Sequence, residues 1–219
     1  RHWLMESGGP GWVLIAFVLP MGWRSKSKSS SILLCYNLQC DYPLTVMTLY
    51  TTKALGMSTW ADFANLVEAN NGVWGGCWCM WYHSKDRDQL PDARREAKQR
   101  LVREGRAHAS LVYDGETCVG WCQFGSTAEL PCIHNERAYL AANPVLPDWR
   151  VTCFFVGKGY RGKGVATAAL KGAVEQIENL GGGRVEGYPE DIDGVKASPA
   201  FMFNGALSTF ERLGFQRER

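Results

Sequence analysis

Hydrophobic and polar positions are most clearly patterned in residues 151–180, which contain an apolar run, a glycine-rich loop and a periodic stretch. The run at residues 151–156 (VTCFFV) is β-branched, aromatic or otherwise apolar, which predicts a buried strand. In the periodic stretch, apolar side chains recur every three to four residues, at Val165, Ala169, Ala173 and Ile177. This spacing predicts one face of an amphipathic helix.

The same reasoning predicts elements on both sides of this strand–loop–helix unit. The predicted strands are residues 44–51, 108–113, 117–124, 184–188 and a last one from Phe215. Two of them flank Asp114-Gly115, which predicts a β-hairpin turn. The predicted helices begin at a capping box on Thr59 and also cover residues 92–104 and 198–213, with a helical turn near 136–142.

The order of these elements is β, α, α, β, β, β, α, β, α, β. Antiparallel strands come first, and the helix after the glycine-rich loop makes a crossover between two parallel strands. The predicted fold class is therefore α/β, in the form of an α+β mixed sheet.

Residues 1–43 differ from the rest of the chain because no hydrophobic period persists in them. They include an apolar patch and a Ser/Lys tract (SKSKSSS). We predict an N-terminal extension at 1–43, flexible or foreign to the native domain, and one folded domain at 44–219.

Composition supports a globular protein, with 46% hydrophobic and 21% charged residues among 219. The net charge of +2 does not favour a nucleic-acid or membrane-surface role, so neither partner is expected. The eight cysteines are scattered, which favours free thiols in a reducing cytoplasm. No apolar run approaches the roughly 20 residues that span a bilayer.

The loop at residues 157–164 contains four glycines and three cations. It immediately precedes the predicted helix, whose first N–H groups lack intrahelical partners and carry the positive end of the helix dipole. This combination predicts a site for a phosphate-bearing ligand.

Three kinds of phosphate loop resemble this stretch. Gly157, Gly159 and Gly162 match the dinucleotide spacing G-x-G-x-x-G, but a hairpin precedes the loop and too few residues follow it to complete a doubly wound sheet. Gly157, Gly162 and Lys163 approach the Walker A pattern, but Gly164 stands where a Ser or Thr would bind magnesium.

The third pattern is Arg161-x-x-Gly164-x-Ala166, which resembles the acyl-coenzyme A loop of the GNAT superfamily of N-acetyltransferases. A later segment, Ala206-x-x-x-Phe210-Glu211-Arg212-Leu213-Gly214-Phe215, is also similar to the family pattern Ala-x-x-x-Tyr-Glu-Lys-x-Gly-Phe. The order of elements agrees from residue 44 to 215. The resemblance implies a GNAT acyltransferase fold.

It also implies acetyl-CoA as co-substrate, and direct attack by a primary amine of a small molecule or a protein. The residues implied to bind coenzyme A lie on the strand, the loop, the helix start and the later segment: Phe155, Val156, Arg161, Gly162, Lys163, Gly164, Val165, Ala166, Asn204 and Phe210.

Two departures from the family pattern concern catalysis. Phe210 stands where the family often has a tyrosine acid, and Asn204 is one position away from the usual asparagine. We therefore take Tyr188 as the candidate acid, or an unassisted thiolate as leaving group. Glu186 is the candidate base, with Glu116, Asp148 or a water relay as alternatives.

The segment at residues 75–83 (GGCWCMWYH) is rich in aromatic residues and cysteine. A metal site at Cys77, Cys79 and His83 is weakly indicated, because Cys-x-Cys is not the usual zinc spacing, and we expect no metal. The tryptophans suggest either core packing or an acceptor pocket, formed by Trp78, Trp81 and Trp121.

Three further alternatives stay open from the sequence. The chain is an enzyme, a non-catalytic acyl-CoA-binding module, or a nucleotide-binding protein that uses residues 157–164.

The end of the sheet is a separate question. Sheets of the GNAT superfamily commonly end in a hairpin, and Arg219 comes too early in the sequence to complete one. The last hairpin is then truncated, or a partner chain in a homodimer completes the sheet.

Overall fold

The computed structural model of the chain describes residues 15–18, 50–73, 75–85, 90–133, 136–142, 145–191 and 203–217, with only the backbone given for 15–18. The strands are β1 Ile15–Val18, β2 Thr51–Ala54, β3 His108–Asp114, β4 Thr117–Ser126, β5 Trp149–Val156, β6 Arg184–Gly187 and β7 Gln216–Arg217. The helices are α1 Trp60–Glu68, α2 Pro91–Arg103, α3 Glu136–Ala142, α4 Val165–Asn179 and α5 Leu207–Glu211, with a 3-10 turn at Lys158–Tyr160.

In this described part the strands form one mixed sheet in the order β2-β3-β4-β5-β6-β1-β7. Strands β2 to β5 are antiparallel neighbours, and the hairpin between β3 and β4 turns at Asp114-Gly115 as predicted. Strands β5 and β6 are parallel and are joined through α4. The predicted mixed sheet with a central parallel strand–loop–helix unit is therefore confirmed.

Strand β1 comes from the region that we predicted to be a flexible or foreign extension. It lies between β6 and β7 and pairs antiparallel with both. The N-terminal region thus supplies the strand next to β7, where we had expected a truncated hairpin or a partner chain. The division of the chain at residue 43 stays a prediction.

The predicted first strand at 44–51 lies largely outside the described residues, which place β2 at Thr51–Ala54. Two further predicted local features differ in the structure. Thr59 does not cap α1 with its side chain, because its hydroxyl donates to the Ala54 carbonyl and accepts from the Gly56 N–H, which closes the preceding turn. The last helix is shorter than residues 198–213. Gly205 is left-handed at φ 83° and Ala206 is extended, so helical geometry begins only at Leu207.

The sheet has a different apolar core on each face. One face packs against α1 and α2 through an aromatic cluster that includes Trp60, Phe63 and Trp121. The other face packs against α4, whose predicted apolar stripe is confirmed by the buried side chains of Val165, Ala169, Ala173 and Ile177. Burial of these stripes is the main driving force for the fold.

We predict that Gly120→Ala destabilises the protein, because Gly120 lies on β4 where α4 and β5 meet. An added Cβ would lie 2.7 Å from the Phe155 carbonyl oxygen and 2.7 Å from a Val165 methyl carbon. Overpacking of this kind costs about 1–3 kcal/mol. Chemical denaturation measures the loss. Gly56→Ala is the control, since nothing lies within 4 Å of its added Cβ. Equal stability of the two variants would contradict the prediction.

Candidate active site

The site begins where β5 and β6 separate. The two strands pair only from Trp149–Val185 to Val151–Gly187. Beyond this point, Gly157 donates its N–H to the Val119 carbonyl on β4 at 2.9 Å. Because antiparallel strands alternate, Phe154 and Val156 direct their backbone polar groups away from β4. The end of β5 therefore has one polar edge that no neighbouring strand of the described sheet covers.

The glycine-rich loop follows this edge directly. After the 3-10 turn, Gly162 and Gly164 adopt left-handed conformations at φ 74° and 86°, which glycine reaches without strain. No side chain caps the N-terminus of α4. The first N–H groups of α4 are therefore available to an anion.

The residues predicted to bind a phosphate lie together here. Arg161, Gly162, Lys163 and Gly164 are exposed, and Lys158 is exposed on the preceding turn. The Arg161 Nε–H donates to the Val156 carbonyl at 3.3 Å, which ties the loop to the end of β5. Val165 is buried beneath the loop and Ala166 is half-buried. Positive charge, glycine backbone and helix N-terminus thus meet at one surface.

Glu186 and Tyr188, the predicted base and acid, lie on either side of the point where β6 leaves β5: Glu186 still pairs with Arg150, and Tyr188 follows the last paired residue, Gly187. The Tyr188 hydroxyl donates to Glu186 Oε2 at 2.9 Å, and the Tyr139 hydroxyl donates to the same oxygen. Glu186 is buried, whereas Tyr188 is half-buried. The carboxylate of Glu186 therefore accepts hydrogen bonds from two tyrosine hydroxyls.

Arg150 is the third component of this cluster. It is buried, its guanidinium lies 5.5 Å from the centre of the Tyr139 ring, and its Nη1–H donates to the Leu130 carbonyl at 2.6 Å. Burial raises the pKa of Glu186 above its ordinary value, although both tyrosine hydrogen bonds and Arg150 act in the opposite direction. Burial also raises the pKa of Tyr188 well above its ordinary value.

The other two candidate bases lie elsewhere. Glu116 is exposed in the turn of the β3–β4 hairpin. Asp148 is exposed and accepts a hydrogen bond from the Arg184 backbone N–H at 2.7 Å. Neither belongs to the Glu186 cluster.

Asn204 and Phe210, the predicted coenzyme A contacts from the later segment, are both buried. Phe210 packs edge-on against Phe154 at 5.7 Å between ring centres, in the core under α5. Asn204 follows Phe203, whose carbonyl accepts the Phe154 N–H at 2.6 Å. The segment at residues 203–206 thus occupies part of the space between β5 and the continuation of β6.

The three tryptophans predicted to line an acceptor pocket are not equivalent. Trp121 is buried and stacks on Phe155 at 4.7 Å between ring centres. Trp78 is buried and stacks on Trp60 at 6.0 Å. Only Trp81 is exposed, by 50%. The structure therefore unites Trp78 and Trp121 in the aromatic core and places Trp81 at the surface.

The cysteines and histidine of the segment at residues 75–83 contribute to a buried polar cluster. Cys79 Sγ lies 3.1 Å from Cys153 Sγ on β5 and accepts the Trp121 indole N–H at 3.2 Å. Lys98 is buried on α2, where its amine donates to Gln123 at 2.8 Å and contacts His83 Nε2 at 3.1 Å.

Charges in this cluster are set by burial. Burial, followed by the nearby Lys98 amine, lowers the pKa of His83 to about 2. His83 is therefore neutral, with Nδ1–H facing the Glu129 carbonyl at 2.9 Å. Cys79 is the exception, because its hydrogen bond with Cys153 lowers its pKa although burial acts in the opposite direction. Among the described residues, no group of three or more His, Cys, Asp or Glu side chains is arranged to hold a metal ion.

The residues that accompany Glu186 and Asn204 in the structure were not predicted from the sequence. Tyr139 on α3 donates a hydrogen bond to Glu186, and Arg150 lies opposite Glu186 in the pairing of β5 with β6. Tyr82, from residues 75–85, donates a hydrogen bond to Asn204. The only available signal was polarity within otherwise apolar runs, such as Arg150 directly before VTCFFV. In the part of the chain that the structure describes, no helix is both long and apolar enough to cross a bilayer.

We predict that Glu186→Gln becomes increasingly stable relative to the wild type as pH rises. An unfolded glutamate loses its proton near pH 4.3. Because the folded pKa is higher, the wild type has its full stability below that pH and loses part of it as pH rises through the folded pKa. Each tenfold increase in proton affinity on folding corresponds to about 1.4 kcal/mol.

Urea denaturation between pH 4.5 and 8 measures this difference. Glu175→Gln, on the exposed side of α4, is the control for the substitution itself. A difference between wild type and Glu186→Gln that stays constant with pH would contradict the burial argument.

Comparison with known proteins identifies the family of this chain. Residues 73–189, more than half of the chain, match the family model described as the acetyltransferase (GNAT) family. A search of curated proteins finds no match.

Solved structures that resemble the chain include three acetyltransferases. A ribosomal-protein-alanine N-acetyltransferase from Brucella melitensis biovar Abortus 2308 is 15% identical over 59% of this chain and 72% of its own, with a TM-score of 0.35. Aminoglycoside N-acetyltransferase AAC(6')-Iy in complex with CoA is 13% identical over 78% of this chain and 90% of its own, with a TM-score of 0.44.

The third is an aminoglycoside acetyltransferase, meta-AAC0020, from an uncultured soil metagenomic sample in complex with sisomicin. It is 13% identical over 60% of this chain and 72% of its own, with a TM-score of 0.39. The match to the family model carries the assignment, and the chain belongs to the GNAT family of acetyltransferases.

Proposed function

We propose that this protein transfers an acetyl group from acetyl-CoA to a primary amine by direct attack. The observation that carries the proposal is the exposed glycine and cation loop, followed by an uncapped helix N-terminus, at the end of the open edge of β5. Family membership makes acetyl transfer the reaction to test.

On the donor side, the pyrophosphate of the co-substrate fits the loop. The N-terminus of α4 has no side-chain cap, so its first N–H groups can donate to the phosphates, and glycine allows close approach of the backbone. An added Cβ at Gly162 or Gly164 would meet nothing within 4 Å, so the space above the loop is open. The pantetheine arm would then lie along Phe155 and Val156, where the Val156 N–H faces away from β4.

In the reaction, the amine nitrogen attacks the thioester carbonyl carbon, the C–S bond breaks, and the thiolate leaves. A backbone N–H on the β5 edge would stabilise the charge that develops on the carbonyl oxygen. The amine must lose a proton and the thiolate gains one. These two proton transfers define the roles of Glu186 and Tyr188.

Glu186 is the proposed base, because burial raises the pKa of its carboxylate and so makes it a stronger base than an exposed glutamate. Tyr188 is the proposed acid, since it is half-buried and its elevated pKa keeps the hydroxyl protonated. After the reaction, the Tyr188–Glu186 hydrogen bond provides a direct path for returning the proton from carboxyl to phenolate.

The acceptor is a small-molecule amine or a protein amine. The decisive experiment incubates the protein with acetyl-CoA and a panel of such amines. It then measures free thiol and the mass of the acetylated product. Thiol release that requires both protein and amine supports the proposal.

Two outcomes would favour another function. Tight coenzyme A binding with no thioester cleavage for any amine would indicate a non-catalytic acyl-CoA-binding module. Thermal stabilisation by ATP and magnesium, but not by coenzyme A, would indicate a nucleotide-binding protein.

We predict that Arg161→Ala and Lys163→Ala each weaken coenzyme A binding about fivefold to tenfold. Each change removes one cation from the exposed loop, and charge-assisted hydrogen bonds contribute about 1.5–3 kcal/mol before screening. Titration calorimetry at two salt concentrations measures the effect, which should shrink at high salt. Lys171→Ala, on the exposed side of α4, is the control. A control that weakens binding equally would contradict a local loop site.

We also predict that Glu186→Gln lowers kcat at least about a hundredfold, because general base catalysis contributes roughly 10²–10⁴-fold. In the wild type, kcat/KM should fall as pH decreases through the elevated pKa of Glu186, which must be deprotonated to act. The Gln variant should lack this pH dependence. An unchanged pH profile in the Gln variant would transfer the role of base to another group or to a water relay.

A further inference from the structure

Tyr82 is a buried tyrosine that has no role in the proposed acetyl transfer. It belongs to residues 75–85, where Trp78 and Cys79 adopt left-handed φ values of 50° and 51° and turn the chain sharply. The Tyr82 carbonyl accepts the Cys132 N–H at 3.1 Å, which anchors its backbone. Its hydroxyl donates to Asn204 Oδ1 at 2.7 Å across the sheet face. A bond between residues so distant in sequence fixes two segments against each other.

This hydrogen bond determines how the Asn204 amide is oriented. The amide oxygen accepts from Tyr82, so the NH₂ group points the other way. Asn204 is only 1% exposed, and its Nδ2 has no hydrogen-bond partner among the described residues. A buried donor without a partner costs about 1–3 kcal/mol, which an arriving acceptor would recover.

Asn204 lies beside the open edge of β5. The carbonyl of the preceding Phe203 accepts the Phe154 N–H, and the carbonyl of the following Gly205 accepts the Glu190 N–H at 2.9 Å. The residue is thus held between β5 and the continuation of β6. The residue with the unpartnered amide therefore lies where the two strands have separated.

The tyrosine hydroxyl remains a donor over the whole working pH range. Burial raises the pKa of Tyr82, and the Cys153, Cys79 and Glu190 side chains act in the same direction. The hydroxyl therefore stays protonated, and the amide orientation does not depend on pH.

We propose that Tyr82 is a positioning residue that aims the Asn204 N–H groups at a carbonyl of the ligand between β5 and β6. The matching chemistry is an amide carbonyl, of which the pantetheine arm of coenzyme A contains two. This role rests on the proposed function, because it assumes that coenzyme A occupies the open edge of β5.

The test measures coenzyme A affinity by titration calorimetry for wild type, Tyr82→Phe, Asn204→Asp and the double variant. Tyr82→Phe should weaken binding about tenfold, and Asn204→Asp at least as much because it removes both N–H donors. If Tyr82 acts through Asn204, the double variant should bind no more weakly than Asn204→Asp alone. The effect of Tyr82→Phe should be the same at pH 6 and pH 8.

Tyr113→Phe is the matched control. Tyr113 is also buried, and its hydroxyl donates to Asp62 Oδ2, on α1, at the same distance of 2.7 Å. It should lose similar stability while its coenzyme A affinity stays within about twofold of the wild type. A purely structural role of Tyr82 would instead make the two variants behave alike in binding.

A second measurement on the wild type does not depend on the stability of variants. The side-chain amide signal of Asn204 in a ¹⁵N NMR spectrum, assigned by its loss in Asn204→Asp, should shift when coenzyme A is added. An unchanged signal, additive losses in the double variant, or unchanged affinity in Tyr82→Phe would each overturn the role of Tyr82. Failure of the wild type to bind coenzyme A would instead overturn the proposed function, and this role with it.

Discussion

The early separation of β5 from β6 is the constraint on which the rest of the site depends. A parallel pair that continued to the end of β5 would satisfy every backbone group and leave no room for a ligand. Because pairing stops at Val151 and Gly187, the last residues of β5 have one open edge. Three parts of the site lie along this edge. The Phe203 carbonyl bonds to Phe154, Glu186 pairs with Arg150 just before the strands separate, and the glycine-rich loop follows the last residue of β5.

The two faces of the sheet have different roles. The face under α4 is almost entirely apolar, which lets that helix hold the loop in a fixed position. The opposite face buries polar groups, among them Lys98, Arg150 and Glu186. Burying such groups is costly unless they have partners, and here each is bound within a cluster of hydrogen-bond donors and acceptors. Chemistry is therefore concentrated on the face where polar groups are already fixed.

The sequence was informative where its signals are local. The period of α4, the turn at Asp114-Gly115 and the loop before Val165 depend on neighbouring residues, and all three appear in the structure. The length of the last helix was wrong because the left-handed Gly205 and the bond from Leu207 to Glu190 interrupt an otherwise helical composition. The prediction that Trp78 and Trp121 line a pocket remains untested, although both are buried in the aromatic core.

Contacts between distant segments could not be predicted. Tyr139 reaches Glu186 across 47 positions, and Tyr82 reaches Asn204 across 122. Neither tyrosine belongs to a motif, and nothing in the adjacent residues indicates a partner. Such pairs depend on how the segments cross the sheet, which a single sequence specifies only through the whole fold.

The position of β1 has a consequence for how the protein is made. Strand β1 is synthesised first among the described elements, yet its two neighbours, β6 and β7, are synthesised last. On the ribosome its two edges therefore stay without these partners until β6 and β7 have emerged. Strands with open edges are prone to pair with other chains during this interval. Completion of this side of the sheet is thus a late folding event, and chaperone access to residues 15–18 would matter most during synthesis.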